Sequence, residues 1–331
     1  MYKMDDDTIR HQSLSAYKQW HKQWAAQAKE HSKFKMKRLT DFENTGIGRA
    51  CLLIANGFSF EENLETIKQN QHNVDVFACD KTLGHCLDNG IIPKFVLVCD
   101  ANVSYEKYME KWKDKLQNTV LFINVCGNPK WSSNGNWKDI YFFVNEDIIE
   151  SHKEFAAISG CENIIPAATN VSNAMVVFVT QSNNVRRCNF FGYDKILLIG
   201  FDYCWRPDGN YYAFDHDGEG KYYYMKHIYG MTAGQKTCWT STNLTFSANW
   251  LEKYISTFKL PVVQCASQTI LQLASKSLES QITYRHNPED MVTVNKLLRN
   301  KNEMAKQIRE IDEKLKQTWK DHNQAYLASV C

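Results

Sequence analysis

Short apolar runs alternate with segments of helical period along most of this chain. Residues 51–55, 74–79, 95–99 and 120–125 are nearly continuous apolar runs of strand length. Between them, residues 61–69, 81–89 and 104–115 carry apolar side chains three or four apart and are predicted to be helices. Gly90 stands where a left-handed C-cap ends the second of these. Further on, 171–181 reads as helix, 195–200 as a buried strand, 246–257 as helix, 261–265 as a short strand and 268–275 as a last compact helix. Residues 127–163, rich in Asn, Gly, Ser and Trp, read as irregular, and 203–230 as a polar, tyrosine-rich stretch. Apolar strands joined by helices predict the α/β class: a Rossmann-like parallel sheet with helices on both faces.

The two ends differ from this middle. Residues 8–38 are polar with a sparse apolar stripe (Leu14, Tyr17, Trp24, Ala28), which predicts an N-terminal helix packed through few contacts. From Pro288 onward, Val294, Leu297, Met304, Ile308, Ile311, Leu315 and Thr318 alternate three and four apart, with Lys301 as a polar interruption. That fits a long helix or coiled coil, and with it a homo-oligomer. The organisation expected is 1–47 helical, 48–285 the α/β domain and 286–331 the C-terminal helix.

Charge and cysteine usage narrow the function classes. A net charge of +2 over 331 residues gives no general case for nucleic acid or an anionic membrane. The basic cluster Lys33, Lys35, Lys37, Arg38 reads as a solvated helix end. Eleven scattered cysteines without a CxxC pair suit a reducing cytoplasm better than disulfides or structural zinc. No apolar run approaches the roughly 20 residues that span a bilayer, and the first residues do not read as a targeting peptide. Neither a Ser-His-Asp order, an HExxH helix nor a Walker A sequence stands out.

Candidate chemistry gathers at the strand ends. Asn56-Gly57-Phe58-Ser59 follows the first strand, and Ser59 with Glu62 has capping-box spacing. Unpaired amides and the dipole of such a helix start attract an anion, and Gly57 allows close approach of a phosphate. Asn56, Asp80, Asp100 and Asp202 all follow predicted strands, where ligands of open parallel sheets bind. Trp131, Trp137 and Trp205 sit in polar segments and are candidate sugar-stacking surfaces.

Four segments together resemble one family. They are the strand and turn ending Asn56-Gly57-Phe58-Ser59; the stretch Cys79-Asp80 through Gly90-Ile-Ile-Pro93 to Cys99-Asp100; Thr169-Asn170-Val171-Ser172; and Gly192-Tyr-Asp-Lys-Ile-Leu-Leu-Ile-Gly200-Phe-Asp202-Tyr. The resemblance, over roughly residues 48–280, is to the MptE-like domain family. That family includes archaeal 6-hydroxymethylpterin diphosphokinases and the motility accessory factors linked to flagellin glycosylation. The second half is also similar to bacterial lipooligosaccharide sialyltransferases, through Gly200-Phe-Asp202-Tyr, Tyr212-Ala213-Phe214-Asp215 and His227-Ile-Tyr-Gly230.

What the resemblance implies is a nucleotide-binding transferase. Asn56, Gly57, Ser59, Asp80, Asp100, Asn170 and Gly200 would hold the nucleotide. Asp202, His227 or Asp215 would be the base, and Tyr211, Tyr212, Tyr222 and Tyr223 a lid that steadies the leaving phosphate. With a CMP-activated nonulosonate as donor no cofactor is needed, and the acceptor would be a glycan or a protein. The diphosphokinase alternative needs Mg²⁺ on Asp80, Asp100 and Asp202. A third alternative is an assembly protein that binds a nucleotide or glycan without turnover. Three departures stand out: Phe58 replaces the usual Pro of the first turn, and against the sialyltransferase pattern Asp80 replaces an Asn and Met231 stands where the general-base His is expected.

Overall fold

The structure is a computed structural model, described here for residues 6–181, 190–206, 213, 224–227 and 237–282 (backbone alone for 6–9, 12 and 224–227). The strands are β1 (Ala50–Ile54), β2 (Asp75–Cys79), β3 (Phe95–Val98), β4 (Val120–Asn124), β5 (Asp139–Glu146), β6 (Ile164–Pro166), β7 (Lys195–Ile199), β8 (Tyr224–His227), β9 (Thr237–Thr240) and β10 (Val262–Gln264). The helices are α1 (Asp6–His31), α2 (Ser59–Glu62), α3 (Leu64–Asn70), α4 (Asp80–Asp88), α5 (Tyr105–Tyr108), α6 (Lys130–Asn134), α7 (His152–Ser159), α8 (Val171–Thr180), α9 (Thr242–Phe258) and α10 (Leu278–Ile282).

Eight strands form one sheet in the order β10-β7-β1-β2-β3-β4-β5-β6, and every pairing in it is parallel. The continuous apolar runs are explained by burial on both faces. Cys51 and Leu53 of β1 enter one core with α8 and α9, while Leu52 and Ile54 enter the other with α3, α4 and α7. The α/β expectation therefore holds, with helices on both faces. β8 and β9 form a separate antiparallel pair.

The N-terminal helix is present and joins the second core. Ala28 is fully buried, Trp24 packs edge-on against Phe155, and Tyr17 and His21 both bond Glu154 of α7, at 2.7 and 2.8 Å. Asn89 and Gly90 close α4 as expected: Gly90 has φ +73°, and Ile91 N–H reaches back to the Cys86 carbonyl at 2.9 Å.

Four local expectations are corrected. Residues 127–163 are not irregular: they contain α6, β5 and α7, and the apolar core of β5, Ile140 to Val144, is free of Asn, Gly and Ser. Residues 268–275 are not helical. Their backbone is held by tertiary bonds, Ile270 N–H to Asp202 O at 3.2 Å and Thr269 Oγ1 to Phe201 O at 3.0 Å, and the helix comes later, as α10. The helices expected at 61–69 and 104–115 are each broken, at Asn63 and Met109. Trp131 and Trp205 are core residues, 0% and 5% exposed, so neither is a sugar platform. The heptad segment, and with it the coiled coil and oligomer expectations, lies outside the described residues.

Candidate functional site

The strand order places one crevice. The chain builds β1 to β6 outward in one direction, then returns through α8 to place β7 on the other side of β1. Between β1 and β7 the two loops diverge, which opens a crevice beyond the carboxyl ends of the strands. A small cavity lies there, lined by Asn56 and Gly57 after β1, Gly200 to Cys204 after β7, and Asn170, Ser172 and Leu244 across from them. Thus Asn56, Gly57, Asn170, Gly200 and Asp202 are brought together from distant parts of the sequence.

The turn after β1 is built differently from the sequence expectation. Ser59 does not cap a helix; it is the first residue of α2, and it is completely buried. Its N–H donates to Asp202 Oδ2 at 2.8 Å, its hydroxyl donates to Asp202 Oδ1, and its oxygen accepts the Gly200 N–H at 2.8 Å. The Gly57 N–H donates to the Gly200 carbonyl at 2.9 Å. A phosphate on the Gly57 and Ser59 amides is therefore excluded: these donors are taken by the Gly200 carbonyl and the Asp202 carboxyl group. Gly57 is required by this contact, since a Cβ there would stand 2.4 Å from Asp202 Oδ2 and 2.5 Å from Gly200 O.

The anion-attracting element that does face the cavity is the start of α8. Asn170 caps it, its side chain accepting the Asn173 N–H at 2.8 Å. The amides of Val171 and Ser172 then have no intrahelical acceptor, and Ser172 lines the cavity. Behind the cap, Asn173 is fully buried, donating to Thr169 Oγ1 at 2.7 Å and Ser247 O at 2.9 Å and accepting the Tyr203 hydroxyl. Tyr203 holds φ +55°, a conformation uncommon for a tyrosine, with its carbonyl fixed by Thr240 Oγ1 at 2.7 Å. Ser172 belongs to the third resembling segment and Tyr203 closes the fourth, but the Asn173–Tyr203 bond gave no sequence signal, because the pairing is tertiary.

The other sequence candidates stand as follows. Asp80 opens α4 and is 2% exposed; its Oδ1 accepts the Lys81 N–H at 2.7 Å. Among the described residues, neither its Oδ2 nor Asn56 Oδ1 has a hydrogen-bond partner, although both atoms are buried. Each such orphan costs about 1–3 kcal/mol. Asp100 is exposed and accepts the Asn102 N–H at 2.8 Å. No three of the described His, Cys, Asp or Glu residues are grouped to hold a metal ion, so Asp80, Asp100 and Asp202 are not one ligand set. The backbone of His227 is in β8, paired with Thr237. Asp215, Tyr211, Tyr212, Tyr222, Tyr223 and Met231 lie outside the described residues.

Burial pushes the carboxyl groups of Asp80 and Asp202 up to about 7, from an ordinary 3.8. The native chain then holds protons that the unfolded chain releases above pH 4. Stability from these two groups is full below that pH and is lost as pH rises through 7. Melting temperature measured from about pH 5 to 8 is expected to fall more steeply for the natural sequence than for Asp80→Asn. Equal slopes would show that Asp80 stays ionised throughout.

The fold is a doubly wound parallel α/β domain with a polar cavity at its switch point, the place where ligands of such sheets bind, and a helix start facing it. The profile of the MptE-like family, described as 6-hydroxymethylpterin diphosphokinase MptE-like, matches residues 22–208, and the chain belongs to that family. The structure of the MAf glycosyltransferase from Magnetospirillum magneticum AMB-1 is similar in fold, with a TM-score of 0.54 at 12% sequence identity. That likeness covers 82% of this chain but 40% of the other, so this chain spans well under half the length of that protein. No curated protein matches by sequence. No helix among the described residues is long and apolar enough to cross a membrane.

Proposed function

We propose that the chain is a nucleotide-binding transferase that takes a CMP-activated nonulosonate as glycosyl donor. The observation that carries this reading is the switch-point cavity with the start of α8 on its wall. The donor phosphate rests on the Val171 and Ser172 amides and the Ser172 hydroxyl, where helix dipole and hydrogen bonds act together. Asn56 holds the nucleoside side of the donor. Asp202 is withdrawn from the role of base, since both its oxygens are held by Ser59. Deprotonation of the acceptor hydroxyl falls to His227 or Asp215, and steadying of the departing phosphate to the lid tyrosines.

The family description favours a second reading, transfer of diphosphate from ATP to a pterin alcohol. Its metal would need hard oxygen ligands beside the phosphates, and no three of the described His, Cys, Asp or Glu residues are grouped to hold one.

Ligand-induced stabilisation distinguishes the readings. A ligand at 100 times its Kd stabilises the native state by about 2.7 kcal/mol, several degrees in Tm. CMP and CMP-nonulosonate are expected to produce that rise without a divalent ion. A rise with ATP and Mg²⁺ alone would replace the glycosyl reading by the diphosphokinase one. Nucleotide binding with no turnover of either donor would support an assembly role.

A further inference from the structure

Three walls of the cavity meet at one buried amide that stands behind its lining. Asn170 and Ser172 belong to the start of α8, Tyr203 to the loop after β7 and Leu244 to the first turn of α9, and all four line the cavity. Asn173, fully buried, is bonded to each of these elements. Its backbone N–H closes the helix cap on Asn170, and its side-chain NH2 donates to Thr169 Oγ1 and to the Ser247 carbonyl of α9. Its Oδ1 accepts the Tyr203 hydroxyl. Turning the amide over would set its oxygen against the Ser247 carbonyl, so the orientation is fixed, and with it the direction of the Tyr203 bond.

The loop after β7 is clamped at its other positions. From Gly200 to Tyr203 each carbonyl accepts a bond from elsewhere in the chain: the Gly57 N–H at 2.9 Å, Thr269 Oγ1 at 3.0 Å, the Ile270 N–H at 3.2 Å and Thr240 Oγ1 at 2.7 Å. Those bonds tie the loop to the turn after β1, to the segment after β10 and to β9. The Tyr203 hydroxyl ties it to α8. Tyr203 sits at φ +55°, a conformation that persists only where its surroundings enforce it. We propose that Asn173 and Tyr203 are positioning residues, whose bond sets the separation between the start of α8 and the loop after β7 and so pre-forms the phosphate seat on the Val171 and Ser172 amides. A seat formed before the ligand arrives spares binding the cost of ordering it. This assignment rests on the nucleotide reading above and adds what holds its phosphate site in place.

Titration calorimetry on the full chain, with CMP and separately with ATP and Mg²⁺, tests the assignment through Tyr203→Phe. That variant keeps the ring and its packing and loses one hydrogen bond. The nucleotide that binds the natural sequence should bind it about tenfold or more weakly. Ser172→Ala should weaken the same ligand, and the double variant should lose less than the product of the two single losses, because both changes act on one seat. Thr240→Val removes a different bond of the same residue, to β9 instead of α8, and should lower the melting temperature with affinity within about twofold of the natural value. Hydrogen exchange of the natural sequence gives a reading that needs no variant to fold: bound nucleotide should slow exchange in 171–174 and 203–205 together. A lower melting temperature in Tyr203→Phe with affinity unchanged would make the bond merely structural, overturning the proposal and leaving the nucleotide reading intact. So would losses that multiply in the double variant, an equal loss in Thr240→Val, or protection of one segment without the other. Binding of no nucleotide would overturn both.

Discussion

Asp202→Ala is expected to lose about 3–5 kcal/mol of stability and all nucleotide binding. The substitution removes the buried acceptor of two donors, the N–H and the hydroxyl of a fully buried Ser59. Orphaning buried partners of a charged group carries a cost of that order. With ordinary stabilities of about 5–15 kcal/mol, denaturant unfolding would show a large shift of midpoint. The turn after β1 also carries Asn56, so the cavity loses its shape with it. Asp202→Asn separates position from chemistry. Its Oδ1 still accepts the Ser59 N–H, and its amide donates to the Ser59 oxygen, which has a lone pair to spare. That variant should fold, bind nucleotide and keep turnover within about tenfold. A loss of about a hundredfold or more with binding intact would return Asp202 to the role of general base.

Gly200→Ala should be worse still, with a loss above about 3 kcal/mol or no folded protein. Gly200 has φ +74°, and an added Cβ would lie 2.0 Å from the Ala55 carbonyl oxygen and 2.6 Å from its carbon. Both are backbone atoms of the neighbouring strand end, so no side chain can swing aside, and overpacking costs beyond the usual 1–3 kcal/mol follow. Gly160→Ala is the matched control: φ there is +73° with nothing within 4 Å of the added atom. It should cost only the conformational share, about 1 kcal/mol. Equal unfolding midpoints for the two variants would show that β1 and β7 ends are not in close contact, and the switch-point cavity would go with that contact.

The strands most easily read from the sequence were those buried on both faces, because their apolar runs record burial directly. β5 was hidden by the Asn, Gly, Ser and Trp residues around it, although Ile140 to Val144 is as apolar as β3. The helix expected at 268–275 failed for the opposite reason. Its local pattern was adequate, but Thr269 and Ile270 bond to the end of β7, a partner about 70 residues away. At the site, the strand-end positions of Asn56, Asp80, Asp100 and Asp202 were legible. Their division was not: Asp202 faces inward to Ser59, Asp100 is exposed, and Asp80 is buried at the start of α4.

Periodicity and punctuation along the chain determined the α/β class and the order of most elements, since each depends on neighbours a few residues apart, and four short motifs carried the resemblance to the family. Which amides remain open for an anion was decided only by tertiary structure. The Asn-Gly-Phe-Ser turn carries the sequence of a phosphate loop, yet its amides are spent on Gly200 and Asp202, which arrive from 143 residues further along. A hydrogen-bond donor can satisfy one partner well, and only the folded chain shows whether that partner is protein or ligand.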